Sequence, residues 1–400
     1  MDAQVVVVGA GPAGALLSYL LSSRGIETIL VERQSDFARE FRGEVLMPSG
    51  IRALEEAGFS LDQVSTSVPE IFEGYLNHRR FIRIETDAPD TIRPTAVSQP
   101  ELLEGLVAMA EKSGAFALRR GHAVRGVSRE QDGRVSLRLA ASGSDHEQII
   151  KAPFVIGADG RSSIIRKRLD PPVQTTSSPL DVVWFKMPYP ETWKNSRAFF
   201  ELGKGHLLIA LRSPDKLLQV AWVILKGTFG ELRSRGIDEW VDTMCDHADP
   251  ELAEHLGRFR DQLTRPFLLD AVTDRVVGWA SPGALLIGDA AHTMSPVGGQ
   301  GLNLALRDAI VAANQLVPAL RKGDDPNLAA ARVEALRGPE IDRIQSLAAI
   351  PPRIALGRSH FHALARYAIT RLAGSRLGRT RGGAIASIFL DGVTEVELTI

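Results

Sequence analysis

Four consecutive valines at positions 5–8 leave no polar residue to mark an exposed face. A run of this kind predicts a strand buried on both sides, as in a parallel sheet. Glycines follow between 9 and 14, then a stretch of helical composition over 15–24 that Gly25 ends, then a second apolar strand at 28–31. Strand, turn, helix and strand in that order make a βαβ unit and imply a parallel sheet. Residues 71–85 read as a hairpin that leaves this first layer, and 100–113 as a helix. Short strands at 124–127 and 135–140 flank the turn signal Gln131-Asp132-Gly133. A third buried strand at 154–156 runs into Gly157-Ala158-Asp159-Gly160. From position 180 the pattern changes. Apolar stretches at 182–187, 197–202, 206–211 and 217–225 are separated by Gly203-Lys204-Gly205 and Ser213-Pro214-Asp215-Lys216. That spacing predicts an antiparallel meander. A buried strand returns at 284–287, followed by a glycine-rich turn, a helix over about 301–320, and a helical tail from about 329.

Composition narrows the class. The 400 residues exceed one ordinary domain of about 150. Charges nearly cancel, 47 Lys and Arg against 48 Asp and Glu, so no global field draws in nucleic acid or an anionic membrane. The 44% hydrophobic and 24% charged fractions are those of a folded, soluble chain. Cys245 is the single cysteine, which excludes an internal disulfide framework and fits a reducing cytoplasm. The apolar stretch 5–21 lacks a preceding basic residue, and Gly9, Gly11, Pro12 and Gly14 interrupt it. It is therefore read neither as a signal peptide nor as an anchor. No other stretch reaches the roughly 20 apolar residues that span a bilayer. The expectation is a cytoplasmic protein without a targeting segment.

The glycines carry the chemistry. Gly9-Ala-Gly11-Pro-Ala13-Gly14 is a G-x-G-x-x-G between a strand and a helix. Gly9 permits the tight turn, Gly11 lets backbone approach a pyrophosphate, and Gly14 lets helix pack on strand. The helix N-terminus then offers free N–H groups and partial positive charge to the diphosphate. Glu32, 18 residues after Gly14 at the end of the second strand, is placed to accept hydrogen bonds from ribose hydroxyls. These features point to a dinucleotide without choosing between NAD and FAD.

Two later segments choose. One is Val155-Ile-Gly157-Ala-Asp159-Gly160-Arg161-Ser-Ser-Ile-Ile-Arg166. The other is Leu286-Ile-Gly288-Asp289-Ala-Ala-His292-Thr-Met-Ser-Pro296-Val-Gly298-Gly299-Gln300-Gly301-Leu302-Asn303. With the first motif they span about 300 residues, and the sequence resembles the p-hydroxybenzoate hydroxylase-like family of single-component FAD monooxygenases. The resemblance implies an α/β fold. An FAD-binding, Rossmann-like βαβ domain would comprise 1–70, 97–180 and 267–328. An inserted antiparallel substrate domain would comprise 71–96 and 181–266, with a C-terminal helical region at 329–400. It implies FAD as resident cofactor, NADPH or NADH as transient electron donor, and O₂ as co-substrate. An aromatic or otherwise electron-rich small molecule would be hydroxylated through a flavin C4a-hydroperoxide. The chain holds one G-x-G-x-x-G, in keeping with a donor that docks without a domain of its own.

Under this resemblance Asp289 accepts from a ribityl hydroxyl, the alternative being a plain helix cap. The turn Gly298–Gly301 opens a helix whose N–H groups face the flavin N1–C2=O edge, where a helix N-terminus stabilises the anionic reduced form. The carbonyl of Pro296 faces the reacting oxygen, or Pro296 only shapes the turn. Asp159 touches the cofactor or caps its own turn. Arg42 and Gln99 match cofactor-contacting positions, Arg33 lies over the adenine or is merely exposed, and Ala13, Val124, Gly299, Gly301, Leu302 and Asn303 complete the cofactor set. The meander supplies the substrate pocket by elimination, with Trp184 and Trp222 as apolar walls and His206 and Arg212 as polar candidates.

Other signals carry less. Cys245, His247 and His255 lack metal-ligand spacing, so no metal is expected. His292 is expected to support the turn rather than to act as an acid or base. A reductase or halogenase on the same scaffold is the alternative activity, though the Trp-x-Trp-x-Ile-Pro segment of such halogenases is missing. A flavin-binding protein without turnover is a third reading. Between Arg343 and Leu390 there are eight arginines and no acid. Arg358, His362 and Arg366 share one helical face there, and Phe361, Ala365, Ala368 and Leu372 another. The favoured reading is a helix packed on the FAD domain with a solvated arginine face; a membrane contact is the less favoured one. Oligomeric state is not legible.

Overall fold

The computed structural model describes residues 3–38, 44–85, 92–144, 146–176, 178–203, 206–357, 359–373 and 386–400. The valine run forms the buried strand Val5–Val8, inside a six-stranded sheet. Its order is Ala280–Ser281, Ala284–Leu286, Phe154–Gly157, Val5–Val8, Thr28–Glu32, Phe116–Arg120. Val6 lies opposite Val155 on one side and Ile29 on the other, both in parallel register. With neighbours on both edges and helices above, every valine of the run is buried. Helix Pro12–Ser22 is apolar nearly all round and packs against helices Gln99–Glu111 and Gln300–Lys322.

Residues 180–269 build the second sheet. Its order is Phe267–Leu269, Leu180–Met187, Leu218–Leu225, His206–Arg212, Arg197–Gly203, Ile71–Leu76, Arg79–Glu85. The expected meander is there, and the hairpin at 71–85 joins it, but through a parallel pairing of Ile71–Leu76 with Arg197–Gly203. Phe267–Leu269 pairs with Leu180–Met187, so this sheet runs past the boundary expected at 266.

Side chains of a strand alternate between faces. Leu180, Val182 and Trp184 share one face with Leu207, Ile209, Ala221, Val223 and Leu269, and this face meets Val297 and Leu356. Val183, Phe185, Met187, Leu208, Ala210, Val220 and Trp222 share the other, which packs on helices Ile237–Cys245 and Pro250–Arg258. The second of these helices starts as sequence physics requires: Pro250 follows Asp249, whose carboxylate accepts the N–H groups of Glu251 and Leu252. These helices seal one side of the sheet and leave the other to the first domain.

The tail is helical over Pro326–Ala348, Ile350–Leu356, His360–Ala373 and residues 386–391. Its polarity differs from expectation. Arg366 is buried and donates to the carbonyls of Ile354 (2.9 Å) and Gly357 (2.6 Å), where the helix Ile350–Leu356 ends. Those terminal carbonyls have no helical partner, and a guanidinium satisfies them better than water would. Phe361 and Ala368, expected to face inward, are exposed, as are Leu364, Tyr367 and Ile369. The helix lies against the strands Ile71–Leu76 and Arg79–Glu85 rather than on the first domain. Arg358 lies outside the described residues. No helix among the described residues is long and apolar enough to cross a membrane.

Candidate active site

Gly9 has φ +98°, and a Cβ there would stand 2.5 Å from the carbonyl oxygen of Ala158. A Cβ on Gly14 would strike the Gly9 carbonyl and lie 3.2 Å from the Ala158 Cβ. Gly11 is different: nothing lies within 4 Å of its missing Cβ. Two glycines thus serve close packing, and the third leaves open space at an uncapped helix N-terminus with no acid in its first turn. Glu32 closes the turn from the side. One carboxylate oxygen accepts the Ala10 N–H (2.8 Å) and the other the Gln34 N–H (3.0 Å). Arg33 is exposed, Val124 is half-buried on the strand His122–Arg129, and Gln99 opens its helix. Arg42 lies outside the described residues.

The Asp159 side chain is engaged within its own turn. Its carboxylate accepts the Ser163 hydroxyl and the N–H groups of Ile164 (2.7 Å) and Ile165 (3.3 Å), so it caps helix Ile164–Leu169. Burial pushes this carboxyl up, against the pull of those donors. The Asp159 turn nonetheless backs the nucleotide turn through Ala158. The third motif arrives from the opposite side: a Cβ on Gly288 would lie 3.2 Å from the Ala13 Cβ. Three segments far apart in sequence therefore meet around one helix N-terminus.

Asp289 lies beneath the start of helix Gln300–Lys322, where a Cβ on Gly301 would be 3.8 Å from its Oδ1. Arg161 faces it at 3.4 Å. Gly298 (φ +78°) and Gly299 (φ +62°) bend the chain into that helix, again with no capping side chain and no acid in the first turn. The Pro296 carbonyl accepts the Gly299 N–H at 3.1 Å, which fixes the turn. Asn303 is fully buried, and its amide is spent on backbone: it accepts the Met47 N–H (2.7 Å) and donates to Val45 (3.2 Å) and Gly299 (2.9 Å). It clips the turn to the segment that follows Arg42. Leu302 is buried in the main core.

A charge network missed at sequence level underlies this turn. Asp308 accepts the Gly288 N–H (3.0 Å), His292 (2.6 Å) and Arg337 (2.8 Å). Burial pushes Asp308 up, but His292 and Arg337 prevail and hold its carboxyl down at about 2. Arg337 also pairs with Glu340, which pairs with Arg307. Glu340 accepts the Val393 N–H at 2.7 Å, and Arg307 donates to the Thr394 carbonyl. Phe389 covers Gly298, whose Cβ would come within 2.7 Å of that ring, and Gln300 donates to the Phe389 carbonyl. Arg307 and Asp308 inside the apolar stretch 302–317 were the signal available.

The glycine turn faces the seven-stranded sheet through Val297, which packs against the same buried cluster as Trp184. A cleft of about 440 Å³ opens beside Trp184, with Glu44, Ser65 and Ser98 on the first domain's side and Lys186 and Phe267 on the sheet's. Of the expected substrate residues, the structure brings only Trp184 there. Trp222 is buried on the opposite face, His206 stacks on His247 and leans on Trp222, and Arg212 lies over Tyr189. The reason is parity: 206 and 212 fall in phase with 208 and 210, the residues turned toward the helices. Glu44 and Lys186 were missed; Lys186 was findable, two positions after Trp184 on its strand. Among the described residues no cluster of His, Cys, Asp and Glu is suited to a metal.

The glycine cradle, the open space at Gly11 and the uncapped helix starts fit an adenine dinucleotide carrying a flavin. Comparison with known proteins agrees. A family model for an FAD binding domain matches residues 2–340. The 6-methylpretetramide 4-monooxygenase of Streptomyces rimosus is 31% identical over 368 residues, covering 90% of this chain and 86% of that one. The p-hydroxybenzoate hydroxylase of Acinetobacter baylyi is 25% identical over 346 residues, covering 82% and 80%. The crystal structure of p-nitrophenol 4-monooxygenase from Pseudomonas putida shares the fold with a TM-score of 0.83 at 19% identity, covering 98% and 99%. The chain belongs to the FAD binding domain family that includes these flavoprotein monooxygenases, and it is an FAD-dependent oxidoreductase.

Proposed function

We propose that this protein is a monooxygenase that uses NADPH or NADH and O₂ to hydroxylate an aromatic, electron-rich small molecule in the cleft beside Trp184. The observation that carries the reading is the meeting of Gly9–Gly14, the Asp159 turn and the Gly288–Gly301 segment in front of an apolar sheet face. Relatives named as monooxygenases and hydroxylases support it. Bound FAD would supply the chemistry, taking electrons from the nicotinamide and delivering oxygen to the ring. Gly11, Ala13, Gly14 and Glu32 would hold its adenosine diphosphate half, with Arg33, Arg42, Val124 and Gln99 alongside. Asp289, Gly299, Gly301 and the backbone at Leu302 would hold its ring half. The start of helix Gln300–Lys322 stabilises negative charge there by up to about 2 kcal/mol. Pro296 fixes the turn that presents these N–H groups. Trp184 and Phe267 keep water from the reacting ring.

The test uses purified, FAD-loaded protein. Phenols, quinolones and polyketide-like aromatics are screened for stimulated NADPH or NADH oxidation, and products formed under isotopically heavy O₂ are weighed. The reading expects one labelled oxygen per product molecule. Nucleotide oxidation that no aromatic stimulates, or a saturated product formed without O₂ uptake, overturns it.

A further inference from the structure

Glu44 hangs over the cleft. Its backbone carbonyl accepts the Val97 N–H at 2.7 Å, which ties it to the strand Thr95–Val97. Its side chain is only 10% exposed, and Oε2 has no hydrogen-bond partner among the described residues. Lys186 Nζ stands 4.0 Å away, beyond hydrogen-bond reach. Lys186 is 19% exposed and donates at 3.0 Å to Asp215, whose side chain is 52% exposed. The three charges cross the cleft from the buried Glu44 on the first domain's side to Lys186 and the exposed Asp215 on the sheet's side.

Buried carboxyl oxygens in folded proteins are nearly always hydrogen-bonded, and leaving one without a donor is unfavourable. Glu44 Oε2 breaks that rule inside a cavity of small-molecule size, opposite an aromatic wall. A donor on the bound molecule would complete it. Resting on the function proposed above, we infer that Glu44 accepts a hydrogen bond from a ring hydroxyl of the substrate while Lys186 donates to a neighbouring oxygen. The substrate class is an aromatic ring bearing a hydroxyl beside a carbonyl. No covalent bond changes in this step; it orients the ring and selects it. Sites built around a substrate hydroxyl discriminate strongly against the analogue without one, because the protein's own group is then left unpaired.

Charge near neutrality supports the assignment. Burial pushes the Glu44 carboxyl up to about 7, with Lys186 pulling it down and Asp215 pushing it up. Glu101 and Arg265 also line the cleft. The ionised form accepts from a hydroxyl at both oxygens, so affinity for a hydroxylated ring rises as pH passes through neutrality.

The experiment uses the FAD-loaded protein and two probes, 1-hydroxyanthraquinone and anthraquinone, followed by their visible spectra and by flavin perturbation. The wild type is expected to prefer the hydroxylated probe by roughly ten- to a hundredfold, the range of a charge-assisted hydrogen bond. Glu44→Gln is expected to keep FAD and to lose both the pH dependence and most of that preference. Lys186→Met is expected to move the pH midpoint of probe binding upward, since the nearby positive charge is gone. It serves as the second variant should Glu44→Gln not retain FAD. Equal binding of both probes by wild type and variants, an unmoved midpoint, or no binding of either probe overturns the assignment. FAD reduction by NADPH or NADH, measured on the same samples, reports separately on the proposed activity.

Discussion

The glycine cradle and the cleft proposed for the substrate are built from different materials. At the cradle the working groups are backbone N–H and absent side chains: Gly9 and Gly14 matter for the Cβ they lack, Glu32 and Asn303 hold main chain, and Asp159 holds main chain and the Ser163 hydroxyl. At the cleft the working groups are side chains on a strand, Trp184 and Lys186, set against Glu44. A cradle of backbone tolerates no added atom at Gly9 or Gly14 but reads little beyond phosphate and ribose. A cleft of side chains accepts substitution and can be retuned to a new ring. The cradle is thus the more rigidly specified of the two, and the cleft the more open to substitution.

Substitutions can sharpen that contrast. The largest effect is expected from Gly14→Val, whose side chain would collide with the Gly9 carbonyl; the purified variant should elute colourless, without flavin absorbance. Arg337→Leu should cost about 3–5 kcal/mol in urea unfolding, because Asp308 and Glu340 would keep buried charge with one partner fewer. Trp222→Ala should cost a similar 3–5 kcal/mol as a core truncation while leaving substrate preference unchanged. Trp184→Ala should do the reverse, raising KM with a smaller loss of stability.

Glu44→Gln offers a pH test of intermediate size. The carboxyl lies at about 7 when folded against an ordinary 4.5, so it favours the folded state most at low pH. That contribution fades as pH rises from about 4.5 and is gone above about 7. The variant should match wild type near pH 4 and be the more stable above pH 7, by on the order of 3 kcal/mol in unfolding titrations. The smallest effect belongs to Arg161→Ala. Its contact with Asp289 is a third exposed on both sides, and such pairs contribute about 0–1 kcal/mol to thermal or urea stability.

Sequence was most informative where geometry needs one residue type. Gly9, Gly14 and Gly298–Gly299 occupy positions where a positive φ or a close approach leaves no substitute, so the motif was visible before the fold. Strand parity was not visible. Leu218–Leu225 is buried on both faces and apolar but for Gln219, so it carries no alternation to say which side is which. Trp222 and Trp184 therefore looked equivalent until the helices at 229–258 were seen to cover one face. Arg366 was misjudged for a related reason: helical periodicity sorts residues into stripes, but not the stripe that faces in when the groups awaiting partners are carbonyls. The network of Arg307, Asp308, Arg337 and Glu340 joins segments whose sequence distance hides their pairing.

Phe389 rests on Gly298, and its carbonyl holds a side chain 89 positions earlier. During synthesis, the loop that would cradle the flavin ring therefore leaves the ribosome well before its cover exists. The residues proposed for the adenosine end, from Gly11 to Val124, emerge earlier still. A chain halted between the two could hold an adenine nucleotide before it could seat a whole flavin.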